Sequence, residues 1–461
     1  MNKSYDVAVI GAGLGGMTIA NKLAVNGSSV LLIEQHNRLG GLASWFKRGN
    51  HIFDISLHGF PIGMKDSLRI HWNQQISNDV IRLNRIKFDN PQFSFETAYD
   101  EEDVRRILHK KFKVSKVTIH KFFNTMQSIK SAKDSKLLTG ELLNNLFTNN
   151  KNAIRFLLEP ITYANGLTFQ DPAYVFCIVF LNFMRGGVYT FRGGSDRMLD
   201  LMEKELKRRK VKILTSALVN KIMVSENSVG GIEVDHKFIK VKTVISNANL
   251  LSTIYNLIGK KNFSKKYMKQ ANKVRLSISN CQVYFGFKKN VTMPNGADLI
   301  FASSDKRFNP SLLSSTNSTS KCLSVYYPRT RPNNRDCTVV STSPARFENW
   351  SKLTKEQYKA KKVKLIKSTL NAVSKYLPNP EEKIDCIEVA TPMTFLRYTL
   401  HNQGASFGTK YEGLEISMNM PKEIKGLFHV GSTGIISSGW LGAINYAALV
   451  SYSVDKFLRN N

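Results

Sequence analysis

Tyr5-Asp-Val-Ala-Val-Ile10 runs directly into Gly11-Ala-Gly13-Leu14-Gly-Gly16, and Val30-Leu-Leu-Ile-Glu34 follows. The first run is short and largely apolar, as a buried strand is. The glycine turn opens a helix, and the second apolar run ends in a carboxylate. Gly11 permits the tight turn, Gly13 lets backbone N–H groups approach a pyrophosphate, and Gly16 lets the helix pack closely on the sheet. Phosphates then meet the helix N-terminus, where unpaired N–H groups and the dipole favour negative charge. Glu34 stands about 20 residues on, where an acid accepts hydrogen bonds from ribose hydroxyls. The glycines alone are a weak signal. Strand, glycines, helix and acid in this order predict a nucleotide-binding βαβ unit and an α/β fold.

Composition sets the outer limits. A chain of 461 residues can bury a large core and hold about two domains. The glycine loop begins almost at Met1, so no cleavable targeting peptide is expected ahead of the fold. No apolar run reaches the roughly 20 residues of a membrane span; Tyr174 to Met184 is the longest candidate and reads as a core helix. The five cysteines are scattered, without a C-x-x-C pair or metal-ligand spacing, which points to a reducing, cytoplasmic setting. Lys and Arg total 66 against 35 acids, a formal net charge of +31. Such an excess is drawn to anionic lipid or nucleic acid, or else is simply solvated. It is densest from Lys260 to Lys273 and from Lys352 to Lys367. No zinc-finger spacing, RNP-like motif or basic zipper accompanies it, which argues against specific nucleic-acid binding.

Further along, Arg38-Leu-Gly40-Gly41 is a second place where backbone can approach a ligand. Asn50 to Ser56 alternates as a strand and leads to Leu57-His58-Gly59-Phe60. Residues 65–183 read as helices and loops. Gly187 to Met198 carries a strand and a glycine turn into an amphipathic stretch ending near Arg209. Lys212 to Thr215, Ala217 to Val224 and Gly231 to Val234 read as a meander closed by Lys242 to Asn249. Ser311 to Ser320 reads as a surface loop, and Lys355 to Tyr376 as a helix stopped by Pro378. Gly426 to Ser432 is a strand into a turn, and Gly439-Trp440-Leu-Gly442-Ala443 opens a final helix. No second G-x-G-x-x-G occurs, so a separate nicotinamide dinucleotide domain is not expected.

Taken in order, the glycine loop, Gly40-Gly41, Phe53-Asp54, Arg192-Gly-Gly194, Val244-Ile-Ser-Asn-Ala248 and the segment from Val430-Gly431 to Gly442-Ala443 resemble the phytoene desaturase, carotenoid isomerase and retinol saturase family. These are FAD flavoproteins related to amine oxidases. The resemblance implies a discontinuous Rossmann-type FAD-binding domain (1–62, 186–258 and 402–461) with an inserted α+β substrate and membrane-facing domain (63–185 and 259–401). It implies that Gly11, Gly13 and Gly16 cradle the pyrophosphate with Leu14 beside them, and that Glu34 holds the adenosine ribose. Gln35 and Val219 complete that end, Gly40 and Gly41 line the flavin side, and Gly431, Gly442 and Ala443 reach the flavin from the other end of the chain. Two positions depart from the pattern. Ser432 stands where the family commonly has an acid, and Ser56 replaces the glycine of the plant-type Gly-Leu-His step.

In such a protein the flavin carries the redox chemistry and the chain positions substrate and excludes water. A polyene would need an apolar tunnel. Phe176, Phe180 and Phe183 recur at helical spacing, as do Phe395 and Tyr398, and such stripes are more often core. Trp440 is the candidate to face ring or substrate. His58 is the candidate acid or base, with a structural role as its rival. Arg38 either neutralises pyrophosphate or caps the second βα turn. Thr391 to Phe395 and Gly404 to Gly408 read as loop near the ring. The reading is an FAD-dependent oxidoreductase acting on carbon–carbon bonds of a long apolar isoprenoid or related lipid, attached peripherally to membrane. Its alternatives are an amine or protoporphyrinogen oxidase-like flavoenzyme and a basic flavin-folded protein that binds nucleic acid.

Overall fold

Tyr5–Ile10 is flanked on both sides by parallel neighbours, Val30–Ile33 and the end of Lys237–Ser246, and so needs apolar residues on both faces. The computed structural model describes residues 4–131, 134–293, 295–315, 319–327, 329–332, 336–433 and 439–460. The parallel layer runs Lys212–Leu214, Val30–Ile33, Tyr5–Ile10, Lys237–Ser246, Leu427–His429. Helix Leu14–Val25 packs against the closing helix Gly439–Arg459. Val219–Ser225 and Ser228–Val234 form an antiparallel meander on the first half of Lys237–Ser246. Lys212–Leu214 is not part of that meander, contrary to the sequence reading. It pairs in parallel with Val30–Ile33 on the opposite side of the layer, because the helix Gly194–Arg208 before it delivers it there as a crossover does.

A second seven-stranded sheet is ordered Ile384–Ala390, Ser279–Phe287, Thr338–Ala345, Lys321–Tyr326, Leu299–Ala302, Ile86–Asn90, Phe93–Thr97. Helix Lys355–Val373 covers one face, where Val373 and Leu370 meet Val283, Phe285 and Leu323. Five helices between Glu101 and Met184 pack against its far end in one core with Phe88 and Phe301. The hairpin Ile86–Asn90/Phe93–Thr97 and the short strand Val80–Arg82 correct the reading of 65–183 as helices and loops. The hairpin's buried residues alternate as strands require, with Ile86, Phe88 and Asn90 inward, around a turn at Pro91. Phe176 and Phe180 are fully buried in this helical core and stack at 5.4 Å.

Two further departures concern packing. Helix Gly63–His71 and Trp72 share the core of the opening and closing helices, and Phe263 and Tyr267 pack with Ile416 and Met420 beside the parallel layer. Apolar packing thus continues across position 62 in the core of the opening and closing helices and across position 258 in the core beside the parallel layer. Pro392–Thr399 is a helix rather than loop, with Pro392 at its first turn and Thr391 capping it. Pro310–Ser314 forms a short helical turn, and residues 316–318 of the expected surface loop lie outside the described residues. The five cysteines are all free.

Candidate cofactor and substrate cavity

The turn after Tyr5–Ile10 is fixed from both sides: Gly11 N donates to Ile33 O at 2.8 Å and Asn247 N donates to Ile10 O at 2.8 Å. Gly11 has φ +90°, a region that side chains avoid. A Cβ on Gly16 would lie 2.0 Å from Gly11 O, and one on Gly13 2.9 Å from Asn247 Nδ2. Helix Leu14–Val25 has no side-chain cap and no acid in its first turn, which leaves its N-terminus suited to an anion. Residue type and backbone approach thus fit a dinucleotide.

This turn opens into a cavity of about 820 Å³, within the range of small-molecule sites. Gly11, Gly13 and Leu14 line one end with Glu34 and Gln35, and Val219 lies on the same wall. Arg38, Gly40 and Gly41 come from the next turn, and Ser432, Trp440 and Ala443 from the end of the chain. Gly16, Gly431, Gly442 and His58 do not line it. Gly16 and Gly431 act behind the wall: a Cβ on Gly431 would sit 2.1 Å from Ala248 O. Residues 434–438, inside the expected terminal flavin segment, lie outside the described residues.

Glu34 is 6% exposed. Its Oε2 accepts from Ala12 N at 2.8 Å and its Oε1 from His36 N at 3.0 Å. Each oxygen keeps a lone pair, so a hydroxyl can still be accepted. Arg38 lies 4.3 Å above the Trp45 ring and donates to Trp45 O at 3.5 Å, on the wall but turned to an aromatic neighbour. His58 sits behind the wall. Its Nδ1 bonds Ser324 Oγ at 2.8 Å, and its Nε2 lies 3.2 Å from Thr342 Oγ1 and 3.3 Å from Gln282 Nε2. Desolvation, only partly opposed by Asp54, lowers its pKa to about 4, so the ring is neutral at pH 7.

Trp440 closes the other end. Its ring stacks on Phe60 with centroids 5.8 Å apart and planes 27° apart, and its Nε1 donates to Ser56 Oγ at 3.0 Å. Tyr163 and Ala164, from the last turn of helix Lys151–Asn165, stand on the same wall. The lining residues include two carboxylates, and both are engaged: Glu34 by backbone, Glu388 by Arg48 at 2.6 Å.

Asn247 and Tyr163 escape the sequence reading, whereas Thr394, Phe395 and Phe407 come from the two segments expected near the ring. Asn247 lines the cavity and its Nδ2 donates to Gly11 O at 3.2 Å; the Ser246-Asn-Ala-Asn249 strand end was visible, its side-chain role was not. Helix Pro392–Thr399 contributes Thr394, Phe395 and Tyr398, and Phe407 follows from the second expected loop. Tyr398 O accepts from Gln35 Nε2 at 3.3 Å and meets His36 Nε2, tying this helix to the Glu34 end. His429 is buried behind Ser432, with Nδ1 on Ser417 Oγ at 2.7 Å and Nε2 on Ala248 O at 3.0 Å. Burial lowers its pKa to about 4.

Residues 14–402 match the family described as flavin-containing amine oxidoreductases. Prolycopene isomerase 2 of the chloroplast from an Oncidium hybrid cultivar is 24% identical, over 96% of this chain and 83% of that protein. Human all-trans-retinol 13,14-reductase is 22% identical, over 98% of this chain and 86% of that protein. Among solved structures, cyclohexylamine oxidase from Brevibacterium oxydans aligns with a TM-score of 0.70 at 12% identity, covering 99% of this chain and 100% of the other. With the glycine turn, the carboxylate-ended second strand and a cavity joining both ends of the chain, this match over most of the sequence places the protein in the flavin-containing amine oxidoreductase family, as an FAD-dependent oxidoreductase.

Proposed function

We propose that the enzyme acts on a carbon–carbon bond of a long apolar isoprenoid or related lipid. The observation that supports this most is the state of the cavity's carboxylates. Glu388 is paired with Arg48, and Glu34, held by the Ala12 and His36 N–H groups beside the glycine turn, turns its remaining lone pairs to the ribose in this reading, so neither is offered to a substrate ammonium, while Phe60, Trp440, Tyr163 and Phe407 offer mainly apolar surface. An amine substrate would call for polar groups converging on Trp440. Its partners are instead Phe60 and a serine hydroxyl.

In this reading Gly11, Gly13 and Leu14 face the pyrophosphate, with Gly16 allowing the helix its close approach. Glu34, Gln35 and Val219 face adenosine. Gly40, Gly41, Ser432 and Ala443 face the flavin, with Gly431 and Gly442 shaping the backbone behind them. Bound FAD supplies the hydride acceptor or donor. The chain holds the substrate carbon near it and keeps water out through the aromatic wall. His58, neutral and tied to Ser324, Gln282 and Thr342, holds the second sheet against the Ser56–Gly59 turn and is a positioning residue in this reading. In this reading the FAD-binding domain comprises 1–62, 186–258 and 402–461, and the substrate domain 63–185 and 259–401.

The lipid reading also gives the charge a purpose. Helix Lys355–Val373 carries six lysines and one acid, Glu356, and each cation near an anionic leaflet contributes about 1 kcal/mol. Among the described residues no helix is long and apolar enough to cross a membrane, so attachment is peripheral in this proposal. Vesicle flotation is expected to increase with anionic lipid content and to weaken in high salt. Indifference to lipid charge alongside tight, salt-sensitive RNA or DNA binding would favour the nucleic-acid reading. For the reaction itself, FAD-loaded protein should be offered conjugated polyenes in vesicles and, in parallel, primary amines. A polyene product with an altered double bond is expected. Flavin bleaching by amines with every polyene unchanged would overturn the proposal.

A further inference from the structure

Ser56 is one of the two positions where the sequence departs from the family pattern, and its hydroxyl joins two parts of the cavity wall. Ser56 Oγ accepts from Trp440 Nε1 at 3.0 Å and donates to Leu42 O at 2.7 Å. Donation runs in one direction, from indole to hydroxyl to carbonyl, so the serine proton and the indole proton are both used. Leu42 directly follows Gly40-Gly41, and Leu42, Ser56, Phe60 and Trp440 all line the cavity. Phe60 lies against the indole at 27°. Trp440 is 9% exposed. Its ring is thus pinned at the nitrogen edge and on one face.

We infer that Ser56 is a positioning residue that fixes the Trp440 indole as a flat cavity wall whose one polar group is satisfied within the protein. Such a wall selects the planar, conjugated part of a substrate. The inference rests on the lipid reading and adds the residue that sets the wall's geometry. A π-face without a free donor attracts a flat polyene by dispersion over many atoms and gives no hydrogen bond to a hydroxyl or carboxylate head. A glycine at position 56 would leave the indole N–H without its acceptor, free to turn towards a ligand or water. The serine therefore trades a polar contact with substrate for a fixed aromatic plane.

The test uses FAD-loaded protein titrated with all-trans-retinol, an achiral polyene, and reads circular dichroism induced in its absorption band together with binding affinity. Wild type should give an induced band. Trp440→Leu should abolish it. Ser56→Ala should keep affinity within about threefold while at least halving the band, because the ligand still binds but against a mobile wall. Ser56→Thr, which retains the hydroxyl, should restore the band, whereas Ser56→Val, of the same shape without it, should not. This isosteric pair carries the test if the alanine variant loses FAD or fails to fold. An unchanged band in both Ser56→Ala and Ser56→Val would overturn the role of Ser56 alone. Failure of retinol to bind FAD-loaded wild type, with tight binding of hexylammonium instead, would overturn the lipid reading beneath it.

Discussion

The two ends of the cavity are built by different means. At the glycine-loop end, backbone defines the site: Gly11, Gly13 and Gly16 act by lacking a Cβ, and Glu34 is held by the N–H groups of Ala12 and His36. At the far end, side chains define it, with Trp440, Phe60 and Tyr163 arriving from three distant segments. The first end is closed to an added atom at Gly16, which would meet Gly11 O, and is strained for any side chain at Gly11, whose φ is +90°. The second is open to exchange of one side chain for another of like volume. In the proposed assignment of the two ends, cofactor binding is the rigid half and substrate choice the adjustable one.

The sharpest break of this contrast is Gly16→Ala. Its new methyl would meet Gly11 O at 2.0 Å, so the flavin-to-protein ratio on purification should fall at least tenfold. Gly230→Ala, whose methyl has only Met223 O at 3.8 Å nearby, should leave that ratio unchanged. Equal flavin content in the two variants would show that the loop is not backbone-defined.

Next in size is the junction between the halves. Arg331, 4% exposed, bonds Asp54 at 2.6 Å and Asp196 at 2.9 Å, and Asp54 also accepts from Ser195 N at 2.7 Å. Asp54→Asn removes one partner of a buried pair and should cost about 3–5 kcal/mol, read as a lowered denaturation midpoint. A change under 1 kcal/mol would mean that the halves do not depend on this link.

His429 provides a graded test. Its ring is neutral in both folded and unfolded chain above pH 6.5. Between 6.5 and about 4 only the unfolded chain takes the proton, so stability falls with pH by up to about 1.4 kcal/mol per unit from this ring. His429→Gln should flatten the pH dependence of the denaturation free energy by up to one proton. Identical slopes would place the acid sensitivity elsewhere. Smallest is Trp72→Phe, which removes the 3.2 Å bond to Thr18 Oγ1 and should cost about 1 kcal/mol without touching flavin content.

The same contrast explains what could be read in the sequence. The dinucleotide unit was legible because its determinants lie within one 34-residue stretch and act on each other, Glu34 reaching back to Ala12. His58 was legible as a residue but not as an environment, since its partners Ser324, Gln282 and Thr342 lie at least 224 positions away. The hairpin Ile86–Thr97 carried its alternating signal but was absorbed into a helical neighbourhood. Lys212–Leu214 was seen as a strand and assigned to its sequence neighbours, because nothing local says on which side of a sheet a crossover lands. Asn247, Tyr163 and Tyr398 reach the cavity only through tertiary packing, and no spacing rule connects them.

The parallel layer has one more consequence, set by time. The end of Lys237–Ser246 pairs with Tyr5–Ile10 on one side, yet Leu427–His429, which covers its other edge, comes about 180 residues later. At about 5–20 residues per second that is a wait of roughly 9–36 s, during which a strand meant for burial has an unpaired edge. The nascent chain carries its nucleotide loop through most of synthesis without the wall that completes the cavity. FAD capture should therefore await residues 427–443, and the unfinished edge is where a chaperone has most to protect.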